Sequence, residues 1–546
     1  MKALTAQQMR EADRLTSERY GISSLQLMEN AGAAIAEYLW DSYPDLHARS
    51  VVILCGKGNN GGDGLVVARR LRERGVAPTV ILFGEPSAVR GDAAANLKSW
   101  QQQMGELRVV TSAGEWESAR SAVADADLIV DALLGTGLKG PVEGLLAQVI
   151  EDVNAAASHS RARTGSPALR LAGLHVVAVD MPSGLASDGQ DYGGGPIISA
   201  EATVTLTAPK VGQLISPRAG CVGKLVVREI GTPPALLEGD SRLTLHWLEP
   251  GEFRGLPLLR PRDAHKGSFG HALIAAGSLG KSGAAVLAGR AALHAGAGLV
   301  TVATPLDVLP IVAAGMPEFM TAPLISTQAV TARKRTLGHG AFASLVRDKS
   351  VLAMGPGLGT SPETQRWIRK VVATTELPVI LDADALNAFA ARPDELNSRK
   401  TPLLAMTPHP GEMARLLGVK SADVQARRLE VAREAAARWR AFVVLKGFHT
   451  ILATPDGRAF INTTGNPGMA KGGTGDVLTG ILAGLTAEFG AKPWERVLGL
   501  GIYLHGLAGD LAAERVGEIP LIATDLIEAL PAAFAQLLGE RSHARD

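Results

Sequence analysis

At 546 residues the chain is too long for one ordinary hydrophobic core, which predicts two or more domains. Lys and Arg (55) nearly balance Asp and Glu (54), which removes the electrostatic case for a partner made of nucleic acid or anionic membrane. With 2 cysteines there is no disulfide framework, and no apolar run reaches the roughly 20 residues that span a bilayer, so a cytoplasmic protein is expected.

The opening segment, Met1 to Glu11, is polar and helical in pattern and does not read as a signal peptide. Short β-rich runs then alternate with Ala-, Leu- and Arg-rich stretches. Val51 to Leu54, Thr79 to Leu82, Leu128 to Val130 and His175 to Val179 predict buried strands, each followed by a glycine loop or a polar residue. That alternation is the signature of an α/β fold with a parallel sheet and a site at the strand C-termini. Residues 155–170, rich in Ala, Ser and Arg and without a period, are expected to form a surface loop. Breakers between residues 231 and 262 (Gly231-Thr232-Pro233-Pro234, Glu249-Pro250-Gly251, Leu256-Pro257) mark a seam. Beyond it the alternation restarts with Ala272 to Ala276, Leu299 to Ala303, Val351 to Met354, Val379 to Leu381 and Phe442 to Leu445. Two αβα domains are expected, about 1–235 and 245–546.

In the first half, Gly56-Lys57-Gly58-Asn59-Asn60-Gly61-Gly62-Asp63-Gly64 joins a strand to a helix. The glycines permit close approach of backbone to a ligand, and the helix start favours a phosphate. Asn and Asp oxygens are hard ligands that suit a nearby cation. The other reading is a tight turn with Asp63 as a helix cap. Asp131 ends the next strand, before Gly135-Thr136-Gly137-Leu138-Lys139-Gly140-Pro141, where Lys139 could reach a phosphate. Asp180 ends the His175 strand, before Met181-Pro182-Ser183-Gly184. Lys210, in Thr207-Ala208-Pro209-Lys210, reads as a loop lysine, with a weaker case for ligand contact. Three strands thus place an Asn or Asp and a glycine loop at one sheet edge, although each Asp alone could be a cap.

With Met28-Glu29-Asn30-Ala31-Gly32, these motifs resemble the YjeF N-terminal domain, the NAD(P)H-hydrate epimerase family, over residues 1–230. The resemblance implies a Rossmann-like αβα fold that interconverts the R and S forms of hydrated NADH and NADPH, with a bound K⁺. Carried over by motif, Asn60, Asp131 and Ser183 would hold the K⁺. Asn59, Asn60, Gly61, Gly62, Asp63, residues 135–141 and Asp180 would line the hydrate site. Asp180, at a strand end where it can point into the crevice, would be the acid/base group at C6 of the hydrated nicotinamide.

In the second half, Lys266 to His271 precedes the first strand and Gly277-Ser278 follows it. Gly355-Pro356-Gly357-Leu358-Gly359-Thr360, Asp382-Ala383-Asp384, Thr407-Pro408-His409-Pro410-Gly411-Glu412 and Lys446-Gly447-Phe448-His449-Thr450 each follow a strand, which puts them on one sheet edge. Gly472-Gly473-Thr474-Gly475-Asp476 closes the set before an apolar run. A glycine turn entering a helix offers free N–H groups to an anion. An Asp there suits a base aimed at the hydroxyl that a phosphate is about to meet. The alternatives are that Asp476, Asp382 and Asp384 are helix caps and His409 a rigid loop residue.

Together these loops resemble the ribokinase-like superfamily and, within it, the YjeF C-terminal domain, the ADP/ATP-dependent NAD(P)H-hydrate dehydratase, over about residues 262–535. Related small-molecule kinases carry Asn where His409 stands and Ala where Thr474 stands, which favours the dehydratase subgroup. The resemblance implies that the S-hydrate (NADHX or NADPHX) is phosphorylated on its C6 hydroxyl and then loses phosphate, with ADP favoured as donor. Lys446, Gly447, Phe448, His449, Thr450 and Gly475 would bind the nucleotide. Ala272, Gly357, His409 and Asp476 would contact the hydrate, with Asp476 as base and Glu412 ordering Mg²⁺. A homo-oligomer acting on small molecules is expected. Two other readings stay open: a vitamin or sugar kinase with an accessory domain, and an N-terminal domain that only binds.

Overall fold

The structure is a computed structural model that describes all residues except 165–172, 325–338, 491–492 and 544–546. The chain divides into two compact units, Lys2–Leu243 and Thr244–Asp546, with Met1 grouped with the second.

The first unit is built on a seven-stranded sheet. Its strands are β1 (Val51–Cys55), β2 (Thr79–Phe83), β3 (Leu107–Val110), β4 (Leu128–Ala132), β5 (His175–Val179), β6 (Ala202–Leu206) and β7 (Lys224–Arg228), in the order β3-β2-β1-β4-β5-β6-β7. Every neighbouring pair is parallel. β1, β4, β5 and β6 are buried along their whole length; β1, β4 and β5 therefore read as largely apolar runs, whereas the buried threonines of β6 (Thr203 and Thr205) break its run. The direction of winding reverses between β1 and β4, and a doubly wound sheet opens its ligand crevice at such a point, beyond the strand C-termini.

One expected loop is a helix. Residues 155–164 continue the helix Gly144–Thr164, and residues 165–170 of the expected loop lie outside the described residues. Val149, Ile150, Val153 and Ala157 are buried at helical spacing and hold that face to the sheet. The Ser and Arg residues beyond Ala157 hide this period from the sequence.

The second unit carries a ten-stranded sheet: β8 (Leu245–Trp247), β9 (His271–Ala275), β10 (Leu299–Pro305), β11 (Met320–Leu324), β12 (Val351–Met354), β13 (Val379–Leu381), β14 (Leu404–Met406), β15 (Phe442–Leu445), β16 (Thr450–Ala453) and β17 (Ala459–Asn462). The order is β11-β10-β9-β12-β13-β14-β15-β16-β17-β8. β9 and β12 to β15 run parallel, so the loops that follow them share one edge. β16 is antiparallel to both its neighbours. The segment 266–270 enters β9 and therefore lies at the opposite edge, where its carbonyls pair with Gly298 and Leu299 at the start of β10.

Two helices of this unit, Ser282–His294 and Thr474–Phe489, pack through glycine. A Cβ on Gly480 would lie 2.2 Å from the Ala288 carbonyl oxygen, and one on Gly484 would lie 2.3 Å from that of Ala292. This contact sets the height of the 474–489 helix on the sheet. Gly480→Ala gains about 1 kcal/mol of helix propensity but drives a methyl into backbone, and overpacking of this kind costs about 1–3 kcal/mol. A net loss of stability is expected, read as a lower Tm. Among the described residues no helix is long and apolar enough to cross a membrane.

Candidate functional sites

In the first unit a cleft of about 910 Å³ opens at the β1/β4 switch point. The helix Asn59–Glu73 starts directly after β1 with Gly58 as its N-cap, so its free N–H groups face the crevice. Asp63 is in the second turn, which excludes a capping role. Asn59, Asn60, Asp63, Gly135, Thr136, Gly137, Leu138, Lys139 and Asp180 line the cleft. Gly61, Gly62, Gly140 and Pro141, expected with them, do not. Gly61 and Gly62 serve internal packing: a Cβ on Gly61 would lie 1.9 Å from the Gly56 carbonyl oxygen, and one on Gly62 2.7 Å from Met28 Sδ. Gly64 lies against β1 and β4, where a Cβ would be 2.6 Å from Ala132 Cβ.

Asp180 adopts φ +60, a region that residues other than glycine enter at a cost, and such outliers gather at functional sites. Its Oδ1 accepts hydrogen bonds from Thr205 Oγ1 (3.2 Å), the Leu206 amide (3.1 Å) and the Lys210 ammonium. The Gln213 amide donates to its carbonyl (2.6 Å). Lys210 is not a loop lysine on the surface. It is wholly buried, and it also donates to Thr205 Oγ1 (3.0 Å) and the Leu206 carbonyl (2.9 Å). Burial and the nearby Asp180 charge hold the Asp63 carboxyl well above the usual range. Lys210 gives no local signal in sequence, since only the fold brings the end of β6 to the end of β5. Met9, Arg10 and Asp13, on the helix Ala6–Tyr20, also line the cleft and were equally invisible.

Asp131 is fully buried in β4, and burial pushes its carboxyl up to about 6. It accepts from Ser183 Oγ (2.6 Å), the Ser183 amide (2.8 Å) and the Leu133 amide (3.2 Å), all neutral donors. The buried Asn60 Nδ2 has no partner, and Gly135 closes on the same amide, its ideal Cβ 3.2 Å from Asn60 Oδ1. Turned over, that amide would present an oxygen at the unpartnered position. A carboxylate, a hydroxyl and an amide oxygen form a hard donor set that suits a monovalent cation.

In the second unit the loops after β13, β14 and β15 bring Asp382, Asp384, Glu412 and Lys446 close enough to the first turn of the 474–489 helix to act on the charge of Asp476. Gly473 is its N-cap, in the left-handed region at φ +95, so Asp476 is no cap but a first-turn residue. Asp382, 1% exposed, is not a cap either: it accepts from Lys446 Nζ (2.7 Å), Thr407 Oγ1 (2.8 Å) and Thr479 Oγ1 (2.8 Å). Lys446 lies 3.9 Å from Glu412 Oε2. Burial pulls its ammonium down, but Asp382 and Glu412 outweigh this and hold it above the usual value. Burial first, then the Asp382 charge, push Asp476 up to about 6 despite Lys446 and the helix N-terminus. A Cβ on Gly475 would sit 3.3 Å from Lys446 Nζ.

His409 and Glu412 have a structural task. His409 caps the helix Pro410–Leu417, its Nδ1 accepting from Gly411 (3.0 Å) and Glu412 (3.3 Å), while Glu412 Oε2 accepts the His409 amide (2.9 Å). Ser278 Oγ donates to the Gly357 carbonyl (2.6 Å), and the Gly359 amide donates to Asp384 Oδ2 (2.8 Å), joining the β9, β12 and β13 loops. Arg428 secures the 446–450 turn from below by donating to the carbonyls of Phe448 and His449. Phe448 is exposed and stacks on His449 at 4.0 Å, and Thr450 begins β16. Ala272 is the exception. It is wholly buried near the start of β9 among Ile274, Ala288 and Ala291, so it faces the core and not the site.

Residues 24–212 match the family described as the YjeF-related protein N-terminus, and residues 272–532 match the NAD(P)H-hydrate dehydratase family. The chain is 42% identical to the bifunctional NAD(P)H-hydrate repair enzyme Nnr of Moorella thermoacetica, over 99% of this chain and 98% of that protein. The chain belongs to the bifunctional NAD(P)H-hydrate repair enzymes. Other members include the Nnr proteins of Thermofilum pendens (39% identity, 98% of this chain and 97% of that one) and Escherichia coli (33%, 98% and 95%). The second unit is also similar to the ADP/ATP-dependent NAD(P)H-hydrate dehydratase from Bacillus subtilis, co-crystallised with ATP/Mg²⁺. That match has 32% identity over 54% of this chain and 98% of that one, with a TM-score of 0.46. The two family matches fall one on each unit; they take in Asn60, Asp131, Asp180 and Lys210 of the first site and Asp382, Lys446 and Asp476 of the second, while Met9, Arg10 and Asp13 lie outside the first match.

Proposed function

We propose that this repair enzyme runs two reactions at the two sites described. The N-terminal cleft, in an epimerase domain of about residues 1–235, interconverts the R and S hydrates of NADH and NADPH. The site around Asp476, in a dehydratase domain of about residues 245–546, consumes the S hydrate with ADP and returns NAD(P)H, AMP and phosphate. The observation that carries the second assignment is the position of Asp476: a carboxylate in the first turn of a helix, beside the buried Lys446–Asp382 pair.

A hydroxyl on C6 is a poor leaving group, and phosphorylation converts it into a good one. Asp476 takes the proton of the C6 hydroxyl as the oxygen attacks the terminal phosphorus of ADP, and the bond to the leaving AMP oxygen breaks. Lys446 and the free amides of Gly475 and its neighbours hold the phosphates. Loss of phosphate from C6 and of a proton from C5 restores the dihydronicotinamide double bond. Phe448 and His449 offer a stacked surface to the adenine. Mg²⁺ keeps several waters and is usually held by one or two carboxylates together with substrate phosphates. Glu412, whose Oε2 accepts the His409 amide and whose Oε1 lies 3.4 Å from His409 Nε2, would take that role when the nucleotide arrives, and the ion would supply charge neutralisation. In the first site Asn60, Asp131 and Ser183 would hold K⁺, fixing the 133–137 loop against the Asn59 helix. The free, buried Cys55 and partly buried Cys221 support a cytoplasmic setting.

The test is to incubate mixed R and S NADPH hydrate with ADP, Mg²⁺ and K⁺ and follow reduced-nicotinamide absorbance. Full conversion is expected. Accumulation of a stable phosphorylated product, with no return of absorbance, would instead favour a kinase. The base assignment also fixes a pH dependence. Asp476 acts when ionised, so kcat/KM for dehydration is expected to be level at neutral pH, halve near 6 and fall about tenfold per unit below. A profile level down to pH 5 would remove Asp476 as the base.

A further inference from the structure

One carboxyl in the N-terminal cleft has no assigned task. Asp13 lines the cleft with Asp180 and Lys210, and its Oδ1 is buried without a hydrogen-bond partner. An unpartnered buried carboxylate oxygen is expensive to maintain, and a carboxyl that lines the cleft with that oxygen unsatisfied is not committed to the surrounding protein. The helix that carries it is fixed to the catalytic loop. The Leu4 amide donates to the Pro209 carbonyl (2.9 Å) and the Val211 amide to the Leu4 carbonyl (3.0 Å), so Leu4 bridges to Lys210. The Ala6 amide donates to Asp188 Oδ1 (2.6 Å). Asp13 is thereby held close enough to Lys210 and Asp180 to feel both charges.

Inversion at C6 needs proton transfer on two faces of the ring. As the C6–O bond breaks, an acid on one face protonates the departing hydroxyl, which leaves as water while the N1 lone pair forms the iminium. A solvent water then adds to C6 from the other face and gives its proton to a base. A single carboxyl on one face cannot serve both. We propose that Asp13, carried into the cleft by the helix Ala6–Tyr20 while Asp180 enters from the end of β5, is the second proton-transfer group and serves the ring face that Asp180 does not. R to S conversion uses protonated Asp13 and ionised Asp180 and ends with the proton exchanged between them, and S to R runs from that state. Burial supports this by pushing the Asp13 carboxyl up to about 6, against the pull of Lys210. The other charged groups around it are Arg10 on its own helix, Asp63 from the Asn59 helix, and Lys57, Asp92 and Lys139 on the cleft wall. Glu238 lies on the helix Pro234–Glu238 packed against it. The inference rests on the epimerase reading of the cleft.

The experiment measures interconversion of separated R and S NADPH hydrate by the full chain from pH 5 to 9, without ADP. Wild type is expected to give a bell-shaped profile. Asp13→Asn is expected to lower kcat by about 10²-fold or more, change KM little and lose the alkaline limb. Asp13→Glu is expected to recover part of kcat with the limb restored at a shifted pH. Thermal unfolding identifies an Asn variant that fails to fold, in which case the Glu variant decides. Wild-type kcat with an unchanged bell in whichever variant folds overturns the role of Asp13. A wild-type chain that does not interconvert the epimers at all overturns the reaction assigned to the cleft, and the inference with it.

Discussion

Asp476→Asn is expected to abolish dehydration of the S hydrate, lowering kcat by about 10³–10⁴-fold, while R and S hydrates still interconvert. The asparagine keeps the shape of the helix turn and its place beside Lys446 but cannot accept the hydroxyl proton. A loss of this size could also arise from misfolding, and the pKa of Asp476 separates the two. Its folded value, about 6, is raised above the ordinary 3.8 by burial and then by Asp382. Stability from such a group is fully present below the unfolded pKa and is lost as pH rises through the folded one. At pH 7 the wild type therefore bears an electrostatic penalty that asparagine removes. The variant is expected to be as stable as wild type or more so, by something on the order of 1–2 kcal/mol. Dead dehydration with an undiminished Tm is the expected pair of observations. Normal dehydration would withdraw Asp476 as base, and a lowered Tm would mean that burial does not strain this carboxylate.

The parts of the molecule legible in sequence are those where one physical demand acts on contiguous residues. Strands buried on both faces read as apolar runs, so β1, β4, β5, β9, β12 and β15 are visible in the chain. Half-exposed strands are not: β3 and β7 mix charged and apolar residues because they sit at sheet edges. β16 is hidden because Thr450 reads as the end of the glycine loop before it, and β17 because Ala459–Asn462 is a run of only 4 residues. In the sites, loops following parallel strands must share an edge, so Asn60, Asp180 and Lys446 could be placed from order alone, while Asp476 was placed by its glycine turn and motif. What order cannot supply is a partner brought from elsewhere. Lys210 is a loop lysine until β6 folds next to β5, and Asp13 is a polar position on an N-terminal helix until Leu4 bridges to Lys210. Glycine is ambiguous in the same way. Gly61 and Gly62 look like residues that admit a ligand, yet their missing side chains admit Gly56 and Met28. Ala272 illustrates the limit of matching by motif, since its place in β9 points it into the core.

Asp180→Asn is expected to stop epimerisation, so that the S portion of a mixed hydrate is repaired at the normal rate and the R portion only at its slow uncatalysed exchange. The backbone tolerates the change, because asparagine enters the left-handed region at φ +60 more readily than most residues. The side chain does not, because Lys210 is wholly buried and Asp180 is its only ion-pair partner among the described residues. Removing one member of a buried pair leaves an uncompensated charge, which typically costs about 3–5 kcal/mol. Loss of epimerisation in the single variant is therefore ambiguous between chemistry and stability. Neutralising both members resolves it: Asp180→Asn with Lys210→Met removes the stranded ammonium and is expected to recover most of the lost Tm. If Asp180 does the proton transfer, the double variant is stable and still unable to convert R to S. Recovery of R-hydrate repair along with the Tm would show that the pair is structural and that the proton is moved by another group in the cleft.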